Sequence, residues 1–531
     1  MLTPPSAALP RWQDLLRVAL LVVAWLALTA WARLLTLPDE GRYVGVAWEM
    51  LRSGEWLTPT LNGLPYFHKP PLFYWITASA LSVFGMNEWA ARAAPIFGAA
   101  LGAIASYLFV RRWWGEQAAR LALLALLLQP FYFVGGQVAN LDMLVAGCIT
   151  ATILLLADAA LCIDQRLPHR PALMAGFAFA AVGVLAKGLI GFVIPLLVIG
   201  AWLLLQRRWR TLAAMCWWPG ALLFLAIAAP WFVAMQARFP EFLDYFFVVQ
   251  HFKRFAEAGF NNARPFWFYP AVLLLLSLPW LPWLTRPLRR GFLADSERRP
   301  IRLLLLVWLV VVVGFFSLPR SKLLGYVLPC VPALAMLMAD GYLTACAARP
   351  ARSARTRRIW QASAAAAALV GLGAVAAVAI YPLRSSKALA AAIAAQPGPE
   401  SPVVMLGEYY FDLPFYARLR GPVAVVDNWG SAEIAKNDNW RKELADAGRF
   451  APTLAAATLI APGALAQRLC AAPATWVLGP GDAAARYPVL AGAAVALGIK
   501  GTTLWRVERD SPSVASALGC KGSPGPAPSA N

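Results

Sequence analysis

Residues 37–92 read LPDEGRYVGVAWEMLRSGEWLTPTLNGLPYFHKPPLFYWITASALSVFGMNEWAAR, between one long apolar segment and the next. The stretch is dense in groups that are costly beside lipid: Asp39, Glu40, Arg42, Glu49, Arg52, Glu55, His68, Lys69, Glu88 and Arg92. Ionisable residues at the edge of a membrane bundle are a functional hypothesis by default. Tyr43, Trp48, Trp56, Tyr66, Tyr74, Trp75 and Trp89 are interleaved with them, and such rings suit a membrane–water interface as well as sugar stacking. Asp39-Glu40 follows Pro38, where a helix breaks or restarts. Val44, Ala47, Trp48 and Leu51 have helical spacing and predict a short helix on the membrane surface. Phe67-His68-Lys69-Pro70-Pro71 sets two cationic-capable groups before a turn stiffened by two prolines.

The rest of the chain gives this loop its setting. Of 531 residues, 60% are hydrophobic and 14% charged, against about a quarter charged in soluble proteins. Apolar runs recur at membrane-helix length, roughly 17–25 residues. They read as about eleven spans, near 16–36, 91–111, 118–134, 138–162, 172–187, 189–206, 212–236, 266–286, 301–318, 322–346 and 359–382, with 71–85 as an extra short or re-entrant helix. Residues 1–11 do not form a cleavable leader pattern, because the first apolar run is long enough to span.

The net charge of +20 does not point to nucleic acid. The arginines gather in short loops: Arg111-Arg112, Arg166 with Arg170, Arg207-Arg208 with Arg210, 286–302 and 349–358. The positive-inside rule assigns these to the cytoplasm. The opening loop, 135–142, Lys187, 236–265, 319–322 and everything after Pro382 then fall outside. Nearly all the acids and lysines that resemble site groups lie on that outer side, so one outward-facing active surface is implied.

Asp142, in Asn140-Leu141-Asp142, reads either as a helix cap or as a site carboxylate. Lys187 beside Gly188 reads either as a lysine reaching the interface or as an anion ligand. From Ser385 the apolar runs shorten to strand length at 402–407, 422–429, 475–479 and 502–507, alternating with alanine-rich helical stretches. This predicts a small α/β domain over 385–518 and a disordered tail over 519–531. Cys148, Cys162, Cys216, Cys330 and Cys346 lie in or beside apolar runs and read as small hydrophobes. Cys470 and Cys520 would be able to pair if the tail is periplasmic.

DEGRY, then SGEWLTPTLNGLPYFHKPPLFYW, then FGMNEWAAR, resemble the first periplasmic loop of the bacterial 4-amino-4-deoxy-L-arabinose lipid A transferases. Those enzymes stand with the protein O-mannosyltransferases in the GT-C class of integral-membrane glycosyltransferases. The segment 239–270 resembles that family's second long loop through His251, Arg254 and Phe255, and Leu318–Pro329 resembles a signature near the membrane surface. The resemblance implies a polytopic α-helical membrane protein of GT-C fold, with about 11–13 transmembrane helices over 1–384, periplasmic loops at 37–90 and 237–265, and a small periplasmic α/β domain after them. It implies a multi-pass protein of the bacterial inner membrane, whose active site and C-terminal domain are periplasmic.

The implied activity is transfer of a sugar, an aminoarabinose-like pentose, from a polyprenyl-phosphate donor to lipid A or a related envelope glycolipid, with inversion. Asp39 is the implied catalytic carboxylate. Tyr43, Tyr66, Lys69, Asp142, Lys187, Arg254, Lys322 and Tyr326 are the implied substrate-binding residues, the cations for the leaving phosphate and the tyrosines for the sugar. Membrane lipids are partners and nucleic acid is not. No cofactor is required. Relatives can hold a structural metal near the loop lysine, where this chain has His68 in place of the usual acid; His68 and His251 are either interfacial histidines or a Zn²⁺ pair. Transfer to protein hydroxyls or another envelope glycan remains an alternative within the fold. A non-catalytic lipid transporter would place charges at the bilayer midplane and show repeated halves, and neither is present in the sequence.

Overall fold

The computed structural model describes residues 12–253, 263–285, 287, 289, 291–396 and 401–520, with the side chains of 251–253 also outside the description. The chain divides into two compact units. The first comprises residues 1–34, 55–57 and 67–382; the second comprises 35–54, 58–66 and 383–531. The opening loop is thus shared out, with 35–54 and 58–66 grouped with the C-terminal part of the chain.

The first unit is helical. Its principal helices are α1 (Trp12–Ala27), α3 (Leu72–Phe84), α4 (Ala93–Trp114), α5 (Glu116–Leu127), α6 (Leu141–Asp164), α7 (Arg170–Lys187), α8 (Ile190–Leu205), α9 (Trp218–Arg238), α10 (Arg299–Ser317), α11 (Val331–Ala348) and α12 (Ser353–Ile380). Among the described residues, seven helices are long and apolar enough to cross a membrane. The other expected spans are present as shorter or interrupted helices. Residues 118–134 split into α5 and Pro130–Gly135, whose first N–H groups are capped by the Gln129 side chain. Residues 266–286 split into Phe268–Leu276, Leu278–Trp280 and Leu281–Leu284 at Pro279 and Pro282. Proline removes a backbone donor and crowds the preceding turn, so an apolar run does not remain one helix. The apolar windows of α6 and of the 324–348 segment are each 83% buried and that of the 350–380 segment only 28%, which places the first two centrally and leaves α12 a broad face for lipid.

The second unit is built on a six-stranded sheet, β3 (Val403–Leu406), β4 (Ala424–Val426), β5 (Leu459–Ile460), β6 (Ala474–Pro480), β7 (Ala494–Ile499) and β8 (Thr502–Glu508), in the order β5-β4-β3-β6-β8-β7. The strands β5, β4, β3 and β6 run parallel, while β8 is antiparallel to both β6 and β7. Four of the six strands lie where the short apolar runs predict them. The other two, β5 and β7, are only partly buried or exposed, so no continuous apolar run marks them. Val404, Leu406, Val426, Val477, Leu504 and Trp505 are buried along the sheet. Cys470 and Cys520 form a disulfide beside this core.

The same unit holds α2 (Asp39–Ser53) and the hairpin of β1 (Thr60–Leu61) and β2 (Leu64–Pro65). The helix expected from the spacing of Val44, Ala47, Trp48 and Leu51 is there, with Trp48 and Leu51 half-buried. Its buried residues, Glu40, Gly41, Val44, Gly45, Val46, Ala47, Glu49 and Met50, pack within a folded unit rather than against a membrane surface. Helical spacing names the apolar face but not its partner. The Leu35 N–H donates to the Tyr416 hydroxyl (2.9 Å), and the Leu37 N–H to the Arg384 carbonyl (3.1 Å). Asn62 and Gly63 turn the hairpin with φ of 55° and 75°, the pair of positive values that an Asn-Gly turn supplies.

Candidate active site

In the second unit the site is organised by the first turns of α2. Pro38 occupies the position before the helix and no side chain caps it, so Asp39 is not a cap. Its carboxylate receives Arg42, one turn along, and keeps 58% of its side-chain surface exposed. Glu40 does something else. It is buried, and its Oε2 accepts both the N–H and the hydroxyl of Thr36 (3.0 Å each). The two acids are therefore not a solvated pair: one closes the entry to the helix and the other points outward.

Arg42 extends from Asp39 into the unit. Its other amine donates to Glu443, on α13 (Trp440–Gly448). Its guanidinium carbon lies 5.2 Å from the Tyr43 ring and 5.7 Å from the Phe411 ring. Burial opposes its charge, yet Glu443, Tyr43, Tyr66 and Asp39 together raise its pKa well above the ordinary value. Tyr66 is buried just beyond the hairpin, with its N–H on the Pro59 carbonyl (2.8 Å). Glu49, also on α2, accepts the N–H of Asn62 (2.6 Å), the N–H of Gly63 (2.9 Å) and the Thr60 hydroxyl (2.8 Å). It thereby ties the turn that leads to Tyr66 onto the helix that carries Asp39 and Tyr43.

In the first unit three of the expected residues come together. Asn140, not Asp142, caps α6: its side chain accepts the Asp142 N–H (2.9 Å). The Asp142 carboxylate is released to pair with Lys187 at the end of α7. The Lys187 ammonium stands 4.5 Å from the centroid of the Tyr326 ring. Gly325 lies directly against the Asp142 carboxylate, leaving no room there for a Cβ. The cluster sits where α6, α7 and the turn Leu324–Cys330 meet, and holds one acid, one base and one ring.

Lys322 is buried and donates to the backbone carbonyls of Arg264 (3.1 Å) and Pro319. Lys69 is half-buried. His68 is buried, with Nε2 2.8 Å from the Tyr245 hydroxyl, which also accepts from the Gln250 amide (2.9 Å). Among the described residues no group of three or more His, Cys, Asp or Glu is arranged to hold a metal. Arg254 and the His251 side chain lie outside the described residues.

Glu443 and Glu49 are the members that sequence reasoning missed. A carboxylate four hundred residues from Asp39 gives no local signal. Glu49 lies one helical face away from the apolar stripe, and only the Asn-Gly pair at 62–63 hints at a turn that needs an acceptor.

Known proteins resemble this chain as follows. Residues 18–246 match the family model described as dolichyl-phosphate-mannose-protein mannosyltransferase. An undecaprenyl phosphate-alpha-4-amino-4-deoxy-L-arabinose arabinosyl transferase of Pseudomonas aeruginosa (strain LESB58) is 36% identical over 314 residues, which are 57% of this chain and 55% of that protein. Its counterpart in Erwinia tasmaniensis is 35% identical over 309 residues, 58% of this chain and 55% of the other. The chain spans about half the length of the curated relatives it matches. The crystal structure of ArnT from Cupriavidus metallidurans bound to undecaprenyl phosphate superposes with a TM-score of 0.77 at 24% identity, covering 95% of this chain and 98% of that one. The same protein in the apo state gives 0.75. The fold of that structure is thus found along nearly the whole chain, a polytopic helical membrane protein with a C-terminal sheet unit.

Proposed function

We propose that the chain is an integral-membrane glycosyltransferase of the bacterial inner membrane. It moves a sugar, an aminoarabinose-like pentose, from a polyprenyl-phosphate donor to lipid A or a related envelope glycolipid at the periplasmic face. One observation carries the reading. Asp39 is an exposed carboxylate held by a half-buried arginine, and it opens the loop motif that implies the catalytic carboxylate; relatives of the chain are named arabinosyl transferases.

The chemistry follows from the groups available. The bond between the sugar's anomeric carbon and the donor phosphate oxygen breaks, and its electron pair leaves on the phosphate. The acceptor oxygen bonds the same carbon from the opposite face, so configuration inverts. Where the acceptor is a hydroxyl, Asp39 takes its proton, a contribution of roughly 10²–10⁴-fold. Where the acceptor is a lipid A phosphate, the nucleophile is already anionic, and Asp39 orients groups and balances charge. Lys69, Lys187 and Arg254 are the cations assigned to the leaving phosphate, whose developing charge they offset. Tyr43, Tyr66 and Tyr326 are the tyrosines assigned to the sugar, and Asp142 holds Lys187. No step runs through a metal.

Two features support the periplasmic orientation. The arginine-rich loops share one side of the predicted topology. The Cys470–Cys520 disulfide suits an oxidising compartment. The test is Asp39→Asn in the full chain, assayed by mass spectrometry of lipid A from a deletion strain carrying either version. The expected outcome is loss of the added sugar with normal protein level; wild-type modification by the variant defeats the catalytic role. The match over 18–246 to a protein mannosyltransferase model favours, as a second reading, a protein hydroxyl as acceptor. Unmodified lipid A together with glycosylated envelope proteins in the wild-type strain would select it.

A further inference from the structure

Asp39 does not stand alone. An exposed ion pair one helical turn long contributes little and wanders, because both side chains keep their rotamer freedom. Here the pair is tied at its inner end. Arg42 places one amine on Asp39 and the other on Glu443, and Glu443 keeps only 8% of its side-chain surface exposed. The guanidinium is flanked by the rings of Tyr43 and Phe411. Arginine suits this role because its planar fork holds two carboxylates at fixed angles, which an ammonium cannot do.

Glu443 is itself fixed. Its helix is capped by Asn439, whose side chain accepts the N–H of Arg441 (3.0 Å). Arg441 pairs with Asp427, just past β4 (2.9 Å). A chain of contacts therefore runs from the sheet of the C-terminal unit to the carboxylate at the start of α2. A buried ion pair is weak evidence for stability. A line of charges that ends on a single exposed acid calls for another purpose.

We propose that Glu443 is a positioning residue for the transfer reaction: it fixes Arg42, and through Arg42 it presents Asp39 in one orientation. The C-terminal unit is then part of the catalytic apparatus and not an appended module. This inference rests on the catalytic reading of Asp39.

The test uses the full chain purified in detergent, with a polyprenyl-phosphate sugar donor and lipid A. Glu443→Gln keeps the shape and loses the charge. Its kcat falls on the order of a hundredfold, the scale of a misplaced catalytic group, while KM for the donor stays within about twofold, a split that a merely less stable protein does not show. Glu443→Asp retains the charge and recovers part of kcat. Arg42→Lys, which keeps the charge but not the fork, lowers kcat as Glu443→Gln does. The exposed Glu433, replaced by Gln, serves as control and leaves the rate unchanged. Glu443→Gln with a wild-type kcat, beside an inactive Asp39→Asn, overturns the positioning role and leaves the catalytic reading intact. A fully active Asp39→Asn overturns both.

Discussion

Two carboxylates of the second unit carry a pH signature through their burial. Glu49 is raised above the usual carboxylate range because burial disfavours its charge, although the Gly63 N–H, the Thr60 hydroxyl and the Asn62 N–H pull the other way. Asp412 is raised for the same reason, against the Ser385 hydroxyl and the Ser386 N–H. A folded chain that keeps a proton the unfolded chain has released is more stable at lower pH. The contribution is complete below the unfolded value, about 4, and is lost as pH rises through the raised native values. The unfolding midpoint of the full chain should therefore fall as pH rises from about 4 to neutrality, and the double variant Glu49→Gln with Asp412→Asn should flatten that fall. Scanning calorimetry of both proteins in one detergent across this range checks it. Equal slopes for the two would remove these groups as the cause.

At the level of elements, the turn Leu324–Cys330 is placed by what it lacks. Gly325 meets the Asp142 carboxylate so closely that an added Cβ would overlap it. Gly325→Ala should displace Asp142 from Lys187, free the lysine toward the Tyr326 ring and solvent, and lower transfer by about tenfold or more, within the range that misplacement costs. The protein should still fold, because the clash can be relieved by one side chain. Activity of the purified variant at saturating donor is the measurement, and a rate within twofold of wild type would mean the pairing is dispensable.

How far the sequence discloses such elements depends on the range of the interaction. Whereas the cap read at Asp142 is in fact Asn140, the helix at 39–53 and the strands at 403–406, 424–426, 474–480 and 502–508 follow from local pattern. So does the loop that carries Asp39, Tyr43 and Tyr66, through its motif. What local pattern does not disclose is which surface a face meets. The apolar side of α2 is as consistent with lipid as with the turn at 411–412, and the interruption at Pro279 and Pro282 is invisible to a hydropathy window. Glu443 is the extreme case, because its meaning depends wholly on an arginine four hundred positions away.

For the molecule as a whole, the assignment of sides to the membrane has a chemical test in the cysteines. Cys470 ends the helix Leu465–Cys470, and Cys520 lies two residues beyond Pro512–Leu518. Their bond spans a sequence separation of 50 residues. Closing a loop of that order restricts the unfolded chain and stabilises by about 2–4 kcal/mol in the chain-entropy account. The five other cysteines are free, and three of them are buried. If the arginine-rich loops are cytoplasmic, the C-terminal unit lies in the oxidising compartment and the bond forms there. In intact cells a membrane-impermeant thiol reagent should then label the 470 and 520 positions only after reduction with an impermeant phosphine. A periplasm-only reporter fused after Asn531 should be active, and one fused after Arg289 silent. Replacing both cysteines by serine should lower the unfolding midpoint of the purified protein without altering the topology readouts. Free, unreacted thiols at 470 and 520, together with an active reporter after Arg289, would invert the protein in the membrane. The Asp39 carboxylate would then be on the wrong side for a bilayer-borne donor presented to the periplasm.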